Sequence, residues 1–160
     1  MTAPVDCILG IDPGLSGACA FYFPGEPEGL TAEDLPIAGN EIDAAQFARR
    51  LRQMRPTVAI IERVNAMPKQ GVASAFTFGC VYGQMRMAFT AHGIVPARVP
   101  AAVWKRSYGL NSDKDAARRL ASALLPAHAH NWPLAKHDGR AEAALLALYA
   151  VKLDAAEMLT

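Results

Sequence analysis

The sequence has no run of eighteen or more apolar residues, so no segment is long enough to cross a bilayer as a helix. Its three cysteines, Cys7, Cys19 and Cys80, show no C-x-x-C spacing, which favours reduced core thiols over disulfides or zinc ligands. The N-terminus has no basic segment before an apolar one, so we expect no secretory signal. These absences exclude the membrane-spanning and disulfide-rich classes and favour a cytoplasmic protein.

The sequence also lacks the common phosphate-loop and nucleophile motifs. Neither G-x-G-x-x-G nor G-x-x-x-x-G-K-[ST] occurs, which removes support for a dinucleotide-binding fold and for a P-loop NTPase. Residues 14–17 (GLSG) do not form the five-residue nucleophile elbow of serine hydrolases. Any catalytic chemistry must therefore come from other residues.

The composition is that of one globular domain, and we assign residues 1–160 to it. Of the 160 residues, 52% are apolar and 19% are charged, which is enough to form a core and argues against disorder. The formal net charge is only +1, but residues 1–48 carry eight acidic side chains and no lysine or arginine. All sixteen basic side chains follow, so the second part of the chain is strongly cationic.

Two clusters hold most of this positive charge. One consists of Arg49, Arg50, Arg52 and Arg55, and the other extends from Arg98 to residue 119. Each cluster alone is typical of a solvated helix face. Two clusters in a chain of low net charge favour a polyanionic partner such as a nucleic acid.

Hydrophobic periodicity predicts strands that come mostly first, with helices between and after them. The predicted strands are 5–11, 18–23, 30–37, 57–61 and 94–99. The predicted helices are 43–55, 73–92, 101–108, 114–125 and 138–158, and Asp43 and Asp113 are predicted to cap the first and the fourth of them. Residues 126–137 are predicted to be an irregular loop. This order predicts an α/β fold with a mixed sheet flanked by helices.

Four carboxylates stand out by their positions. Asp12 and Glu62 each follow a strongly apolar strand, and the carboxyl ends of neighbouring parallel strands meet at the edge where ligands bind. Asp138 and Glu142 are four residues apart, so their side chains share a helix face. A cation between them would remove the repulsion of this like-charged pair.

Each carboxylate also has a purely structural interpretation. Asp12 could close an Asx turn before Pro-Gly, Glu62 could pair with a basic side chain, and Asp138 could cap the last helix with Glu142 in its first turn. The combination favours a metal site, and ligands that are all oxygen favour Mg²⁺ or Mn²⁺ over zinc. Two such ions about 4 Å apart would suit phosphodiester hydrolysis.

Three segments in this order resemble the RuvC family of Holliday-junction resolvases: ILGIDPG (8–14), IIERV (60–64) and DGRAEAAL (138–145). Further segments resemble a phage and prophage branch of that family. They are VNAMPKQG (64–71), SAFTFG (74–79), Gly83 and the Trp104-Lys105 pair. The resemblance extends from Cys7 to about residue 152. It implies an RNase H-like fold with a mixed five-stranded sheet.

The resemblance implies that Asp12, Glu62 and Glu142 bind two Mg²⁺ ions, with Mn²⁺ as a substitute. Cellular members place a fourth ligand three residues before the last carboxylate, where this chain has Gly139. Asp138 lies four before it on the same helix face, and we carry the fourth role over to it. Asn65 stands near the position of a DNA-stacking aromatic in cellular members, so their sequence preference does not carry over.

The family acts as a homodimer on four-way DNA junctions. The resemblance therefore implies a dimer through the helix at residues 73–92, where Gly79 and Gly83 would allow close approach. The aromatic and methionine side chains of this helix also fit a helix buried entirely in the core. The basic residues expected to contact DNA phosphates are Lys69, Lys105, Arg106, Lys114, Arg118 and Arg119.

The carboxylates predict a metal-dependent phosphodiester hydrolase, and the resemblance implies that it is a crossover-junction endodeoxyribonuclease that nicks Holliday junctions in symmetric pairs. Three alternatives remain open. They are a broader flap or branched-DNA debranching nuclease of the same fold, a junction-binding architectural protein that does not cleave, and an actin-like ATP-binding domain. The last has the least support, because the chain lacks a second phosphate loop and a second domain.

Overall fold

The computed structural model describes residues 7–26 and 29–157. The predicted start of the first strand at residues 5–6 and the end of the last helix at residue 158 lie outside this range. The described strands are β1 (Ile8–Asp12), β2 (Ala18–Tyr22), β3 (Leu30–Asp34), β4 (Ile37–Ala38), β5 (Glu41–Ile42), β6 (Val58–Arg63) and β7 (Ala97–Pro100). The described helices are α1 (Ala44–Met54), α2 (Val72–Ala91), α3 (Ala101–Ser107), α4 (Lys114–Leu124) and α5 (Asp138–Glu157).

The main sheet has five strands in the order β3-β2-β1-β6-β7. β1 pairs antiparallel with β2 and parallel with β6, and β6 pairs parallel with β7. β1 and β6 are apolar on both faces because they lie at the centre of the sheet and are covered from both sides. The predicted mixed five-stranded sheet with flanking helices is confirmed.

Helices cover the two faces of the sheet with separate cores. Trp104, Trp132 and the inner side chains of α4 and α5 form one core, and Phe47, Met85 and Phe89 belong to the other, with α1 and α2. α1 begins after Asp43, whose side chain accepts a hydrogen bond from the Gln46 N–H, as the sequence predicts for a helix cap. None of the helices in the described ranges is both long and apolar enough to cross a membrane.

Two predicted strands and one predicted loop differ most from the structure. The third strand ends at Asp34 rather than residue 37, because Ile37 belongs to the separate β4–β5 pair. The strand predicted at 94–99 is β7 at Ala97–Pro100, where it pairs with β6 through Glu62 and Val99. The loop predicted at 126–137 contains two short 3₁₀ helices, Pro126–Asn131 and Ala135–His137.

Candidate active site

Two central parallel strands bring Asp12 and Glu62 to one edge of the sheet. The β1–β6 register pairs Ile11 with Ile61, so the next residue of each strand lies at the same level. Asp12 is the last residue of β1, and Glu62 is the penultimate residue of β6. The predicted proximity of the two strand-end carboxylates therefore follows directly from the pairing.

α5 supplies the third carboxylate because it packs tightly against β1. Gly10 of β1 lies against the α5 backbone, where an added Cβ atom would meet the carbonyl oxygen of Ala143 and lie 2.7 Å from the Ala147 nitrogen. The alanines of α5 and the glycine of β1 allow this approach because they have little or no side chain. Glu142 consequently reaches the sheet edge, and only 7% of it is exposed.

The side chains of Asp12, Glu62 and Glu142 each offer a carboxylate oxygen, and these oxygens lie within 4.8 Å of one another. Such a group of partly or fully buried oxygens is unfavourable without a cation, because the charges repel and the site is shielded from water. A divalent cation would neutralise the charge, and oxygen ligands suit Mg²⁺ or Mn²⁺. The donor set therefore fits the group that the sequence predicts.

The same burial and mutual repulsion shift the pKa values of two of these carboxylates. The pKa of Asp12 is raised well above its usual value, first by burial and then by the charges of Glu142 and Glu62. Burial also raises the pKa of Glu62, and the hydrogen bond from Trp104 acts in the opposite direction. The nearby Lys105 ammonium lowers both pKa values without cancelling the shifts.

Two consecutive residues of α3 contact two different carboxylates of the group. The Trp104 indole Nε1 donates a hydrogen bond to Glu62 Oε2 at 2.9 Å, and the Lys105 Nζ lies 2.9 Å from Glu142 Oε1. α3 directly follows β7, which is parallel to β6, so its first residues lie at the same edge of the sheet as Glu62. The sequence predicts Lys105 as a phosphate contact but gives no sign of the Trp104 hydrogen bond.

Asp138 lies beside the group rather than in it. Its carboxylate Oδ2 is 2.9 Å from the Lys114 Nζ, and this contact raises the pKa of Lys114. The capping alternative is wrong, since Asp138 has helical dihedral angles and is the first residue of α5. A Cβ atom at Gly139, three residues before Glu142, would lie 3.0 Å from Asp12 Oδ2. The role of Asp138 as a metal ligand stays a prediction.

The structure divides the six basic residues predicted to contact DNA into three pairs. Lys105 is ion-paired with Glu142 of the group, and Lys114 is ion-paired with Asp138 beside it. Arg118 and Arg119 bind acidic residues near the start of α4, and Arg118 also donates to the carbonyls of residues 132 and 133. Lys69 and Arg106 are exposed and form no ion pair within the described part of the chain.

One further contact that holds the site was not predicted. Arg140, between Asp138 and Glu142, donates to both oxygens of Asp34 at 2.8 and 2.9 Å and to the Asn131 carbonyl at 3.0 Å. It thereby ties the start of α5 to the end of β3. An arginine between two acidic residues of one helix is the only trace of this contact in the sequence, and it does not identify the distant partner.

The fold is shared with solved Holliday junction resolvases. RuvC of Thermus thermophilus matches at a TM-score of 0.63 and 16% identity, over 92% of this chain and 96% of that chain. The same protein in complex with Holliday junction substrate matches at 0.62 and 16% identity, over 91% and 96%. The yeast mitochondrial Holliday junction resolvase Ydc2 matches at 0.59 and 16% identity, over 92% and 78%.

These matches confirm the predicted RNase H-like fold. No protein-family model matches the sequence, and no curated protein matches it as a relative.

Proposed function

We propose that this protein is a divalent-metal-dependent endodeoxyribonuclease that resolves Holliday junctions by symmetric paired nicks. The observation that carries the proposal is the convergence of three carboxylate oxygens within 4.8 Å at the carboxyl edge of the central strands. The fold around this group is the one that the junction resolvases share. The basic second part of the chain suits a DNA substrate.

Asp12, Glu62 and Glu142 would hold two Mg²⁺ ions, with Mn²⁺ as a substitute, and Asp138 would complete the ligand set. Bound at this position, the ions would activate water and stabilise the charge that develops on a phosphodiester. The three carboxylates would determine where the metal ions, and therefore their positive charge, are placed. Lys105 keeps Glu142 directed toward the group, and its cationic head is available to a phosphate at the same edge.

The proposal is tested with a synthetic four-way junction that is labelled on each strand in turn and incubated with Mg²⁺ or with EDTA. We expect paired nicks at symmetric positions in Mg²⁺, with 5′-phosphate and 3′-hydroxyl ends, and no cleavage in EDTA. Equal cleavage of flaps, three-way and four-way junctions would favour the debranching nuclease instead. Tight binding without cleavage, in Mg²⁺ and in a parallel reaction with Mn²⁺, would favour the architectural protein.

We propose that Lys69 and Arg106 contact DNA phosphates outside the carboxylate group. Both are exposed, Lys69 in the loop that follows β6 and Arg106 beside Lys105 on α3. Lys69 has a left-handed backbone with φ of 67°, in a turn where the Gln70 side chain accepts the Met67 N–H. Both residues lie in segments that follow the carboxyl ends of β6 and β7, the edge of the sheet at which the carboxylate group lies.

Lys69→Ala and Arg106→Ala are each expected to weaken junction binding and to reduce the steepness of its salt dependence. Each lost phosphate contact should lower the slope of log K against log[salt] by about 1, because fewer counterions are released. Fluorescence anisotropy across a salt series measures this slope. Arg52→Ala is the control, since Arg52 is exposed in the last turn of α1, before β6 begins. An unchanged slope in the Lys69 and Arg106 variants would contradict these contacts.

We propose that the exposed face of α2 forms the homodimer interface. Val72, Phe76 and Met87 are 87%, 73% and 68% exposed, although they are large and apolar. A Cβ atom added at Gly79 or Gly83, on the same face, would meet nothing within 4 Å of its own chain. The opposite face of α2 packs on the sheet, so the helix divides between core and surface. A second copy would cover this apolar stripe.

Phe76→Glu is expected to convert the dimer to a monomer, because it places a charge within the apolar stripe. Sedimentation velocity measures the mass, and a cruciform plasmid tests the consequence. Paired cleavage gives linear plasmid, whereas a monomer should release nicked circles. Leu124→Glu is the matched control, since Leu124 is 48% exposed at the end of α4, which covers the other sheet face. A dimeric Phe76→Glu protein would place the interface elsewhere.

A further inference from the structure

The indole of Trp104 binds a site carboxylate from the core side of the molecule. Trp104 is fully buried, and its ring packs edge-on against Tyr108 with the centroids 6.5 Å apart. Its Nε1 donates to Glu62 Oε2 at 2.9 Å, so the contact joins α3 to β6 across 42 residues of sequence. Because the ring is enclosed by the core, the donor has a fixed position relative to the strand.

The second tryptophan provides an internal comparison. Trp132 is also buried, belongs to the same core, and donates from Nε1 to Ser122 Oγ at 2.9 Å. The two indoles therefore have the same burial and the same kind of hydrogen bond. They differ in the acceptor, which is a neutral hydroxyl for Trp132 and a carboxylate of the site for Trp104.

The hydrogen bond constrains Glu62 more than its backbone does. A glutamate side chain has three rotatable bonds, and its carboxylate can turn away from neighbouring negative charges. Repulsion from Asp12 and Glu142 favours such a turn when no cation is present. The Trp104 N–H holds one of the two Glu62 oxygens, so the carboxylate remains within the group despite the repulsion.

We propose that Trp104 is a positioning residue whose indole N–H fixes the Glu62 carboxylate in the orientation that binds the divalent cation. The inference rests on the metal site of the proposed function, but it does not depend on which DNA is cleaved. Hydrogen-bond partners of metal ligands typically change metal affinity by about 10- to 100-fold when they are removed. We expect a change of that size when the N–H is lost.

The test is the affinity of the purified protein for Mn²⁺ in the absence of DNA, measured from the free Mn²⁺ signal in electron paramagnetic resonance. Trp104→Phe, which keeps an aromatic ring but removes the donor, should weaken binding about 10- to 100-fold. Trp132→Phe should stay within about twofold of wild type, because its donor does not contact the site. Equal Mn²⁺ affinity in folded Trp104→Phe and wild-type protein would overturn the inference.

A change in packing alone must be separated from loss of the donor. Incorporating benzothienylalanine at position 104 by codon suppression replaces the N–H with sulfur and preserves the bicyclic shape. This protein should show the same weakened Mn²⁺ binding, together with a melting temperature in EDTA close to that of wild type. Wild-type affinity for Mn²⁺ in this isosteric protein would assign Trp104 to packing and overturn the proposal.

Cleavage assays then distinguish this inference from the proposed function. If both hold, Trp104→Phe should need about 10- to 100-fold more Mg²⁺ for half-maximal junction cleavage, with an unchanged KM for the junction. If wild-type protein binds Mn²⁺ but cleaves no junction, the function fails while the Mn²⁺ titration still decides the role of Trp104. A Mg²⁺ requirement equal to that of wild type would count against the inference alone.

Discussion

Asp12→Asn is expected to abolish junction cleavage while leaving junction binding in place. Asparagine keeps the shape of the side chain but removes one of the three negative charges that would hold the metal ions. A loss of about 4 kcal/mol of transition-state stabilisation corresponds to about a thousandfold in rate, and metal ions contribute several kcal/mol. Single-turnover cleavage at saturating protein measures the rate, and gel shift in EDTA measures binding.

Glu142→Gln should have the same effect, because Glu142 belongs to the same group and is the most buried of the three carboxylates. Asp43→Asn is the matched control, since Asp43 caps α1 and asparagine is an equally good cap. Cleavage by Asp12→Asn or Glu142→Gln at the wild-type rate would mean that the assigned site is wrong. Loss of junction binding in either variant would indicate that the carboxylates shape the DNA surface itself.

The same Asp12→Asn protein is expected to be more stable than wild type when metal is removed. The pKa of Asp12 is raised in the folded protein, so the folded state binds this proton more tightly than the unfolded chain does. The metal-free wild type therefore loses stability as the pH rises through the raised pKa, and asparagine does not titrate. The melting temperatures of the two proteins are measured in EDTA between about pH 4 and pH 8. The difference in melting temperature, Asp12→Asn above wild type, should widen toward higher pH.

Adding Mg²⁺ should raise the melting temperature of wild type toward or above that of Asp12→Asn, because a bound cation neutralises the repulsion. Only the difference between the two proteins is informative, since Asp34 and Asp113 have lowered pKa values and act in the opposite direction. A difference in melting temperature that stays constant with pH would show that ionisation of Asp12 does not destabilise the metal-free protein. Stability and metal binding thus conflict at this position, as is common in catalytic sites.

Gly10→Ala is expected to cause a large loss of stability, although it adds only one methyl group. The new Cβ atom would meet the backbone of α5 at Ala143 and Ala147, and a helix backbone cannot move aside as a side chain can. We expect a loss of about 3 kcal/mol or more in the free energy of unfolding, measured in urea. Because Glu142 directly precedes Ala143, the displaced helix should also lose cleavage activity.

Gly25→Ala is the control for this substitution. A Cβ atom at Gly25 would meet nothing within 4 Å, and its backbone has no positive φ, so the change should be neutral or stabilise by up to about 1 kcal/mol. A Gly10→Ala protein within 1 kcal/mol of wild type would mean that α5 can shift away from β1 without cost. The position of Glu142 would then not depend on the glycine.

Local signals in the sequence predicted most of the elements and both capped helices. Asp43 and Asp113 each precede a helix and accept a backbone N–H, as their positions predict. The apolar runs before Asp12 and Glu62 predicted the two central strands. The errors occur where the local pattern is weak, at β7 and at the end of β3. The bounds of these strands depend on pairing with β6 and β2 rather than on their own sequence.

The sequence by itself determined the fold class, the residue types of the site and the edge of the sheet where two carboxylates meet. A continuous apolar run indicates a strand buried on both faces, and parallel neighbours present their carboxyl ends at one edge. Only the tertiary structure decided which groups touch. It placed Glu142 in the group and Asp138 against Lys114, and it brought Trp104 to Glu62. These contacts join residues far apart in the chain, and they depend on how closely α5 and α3 pack on the sheet.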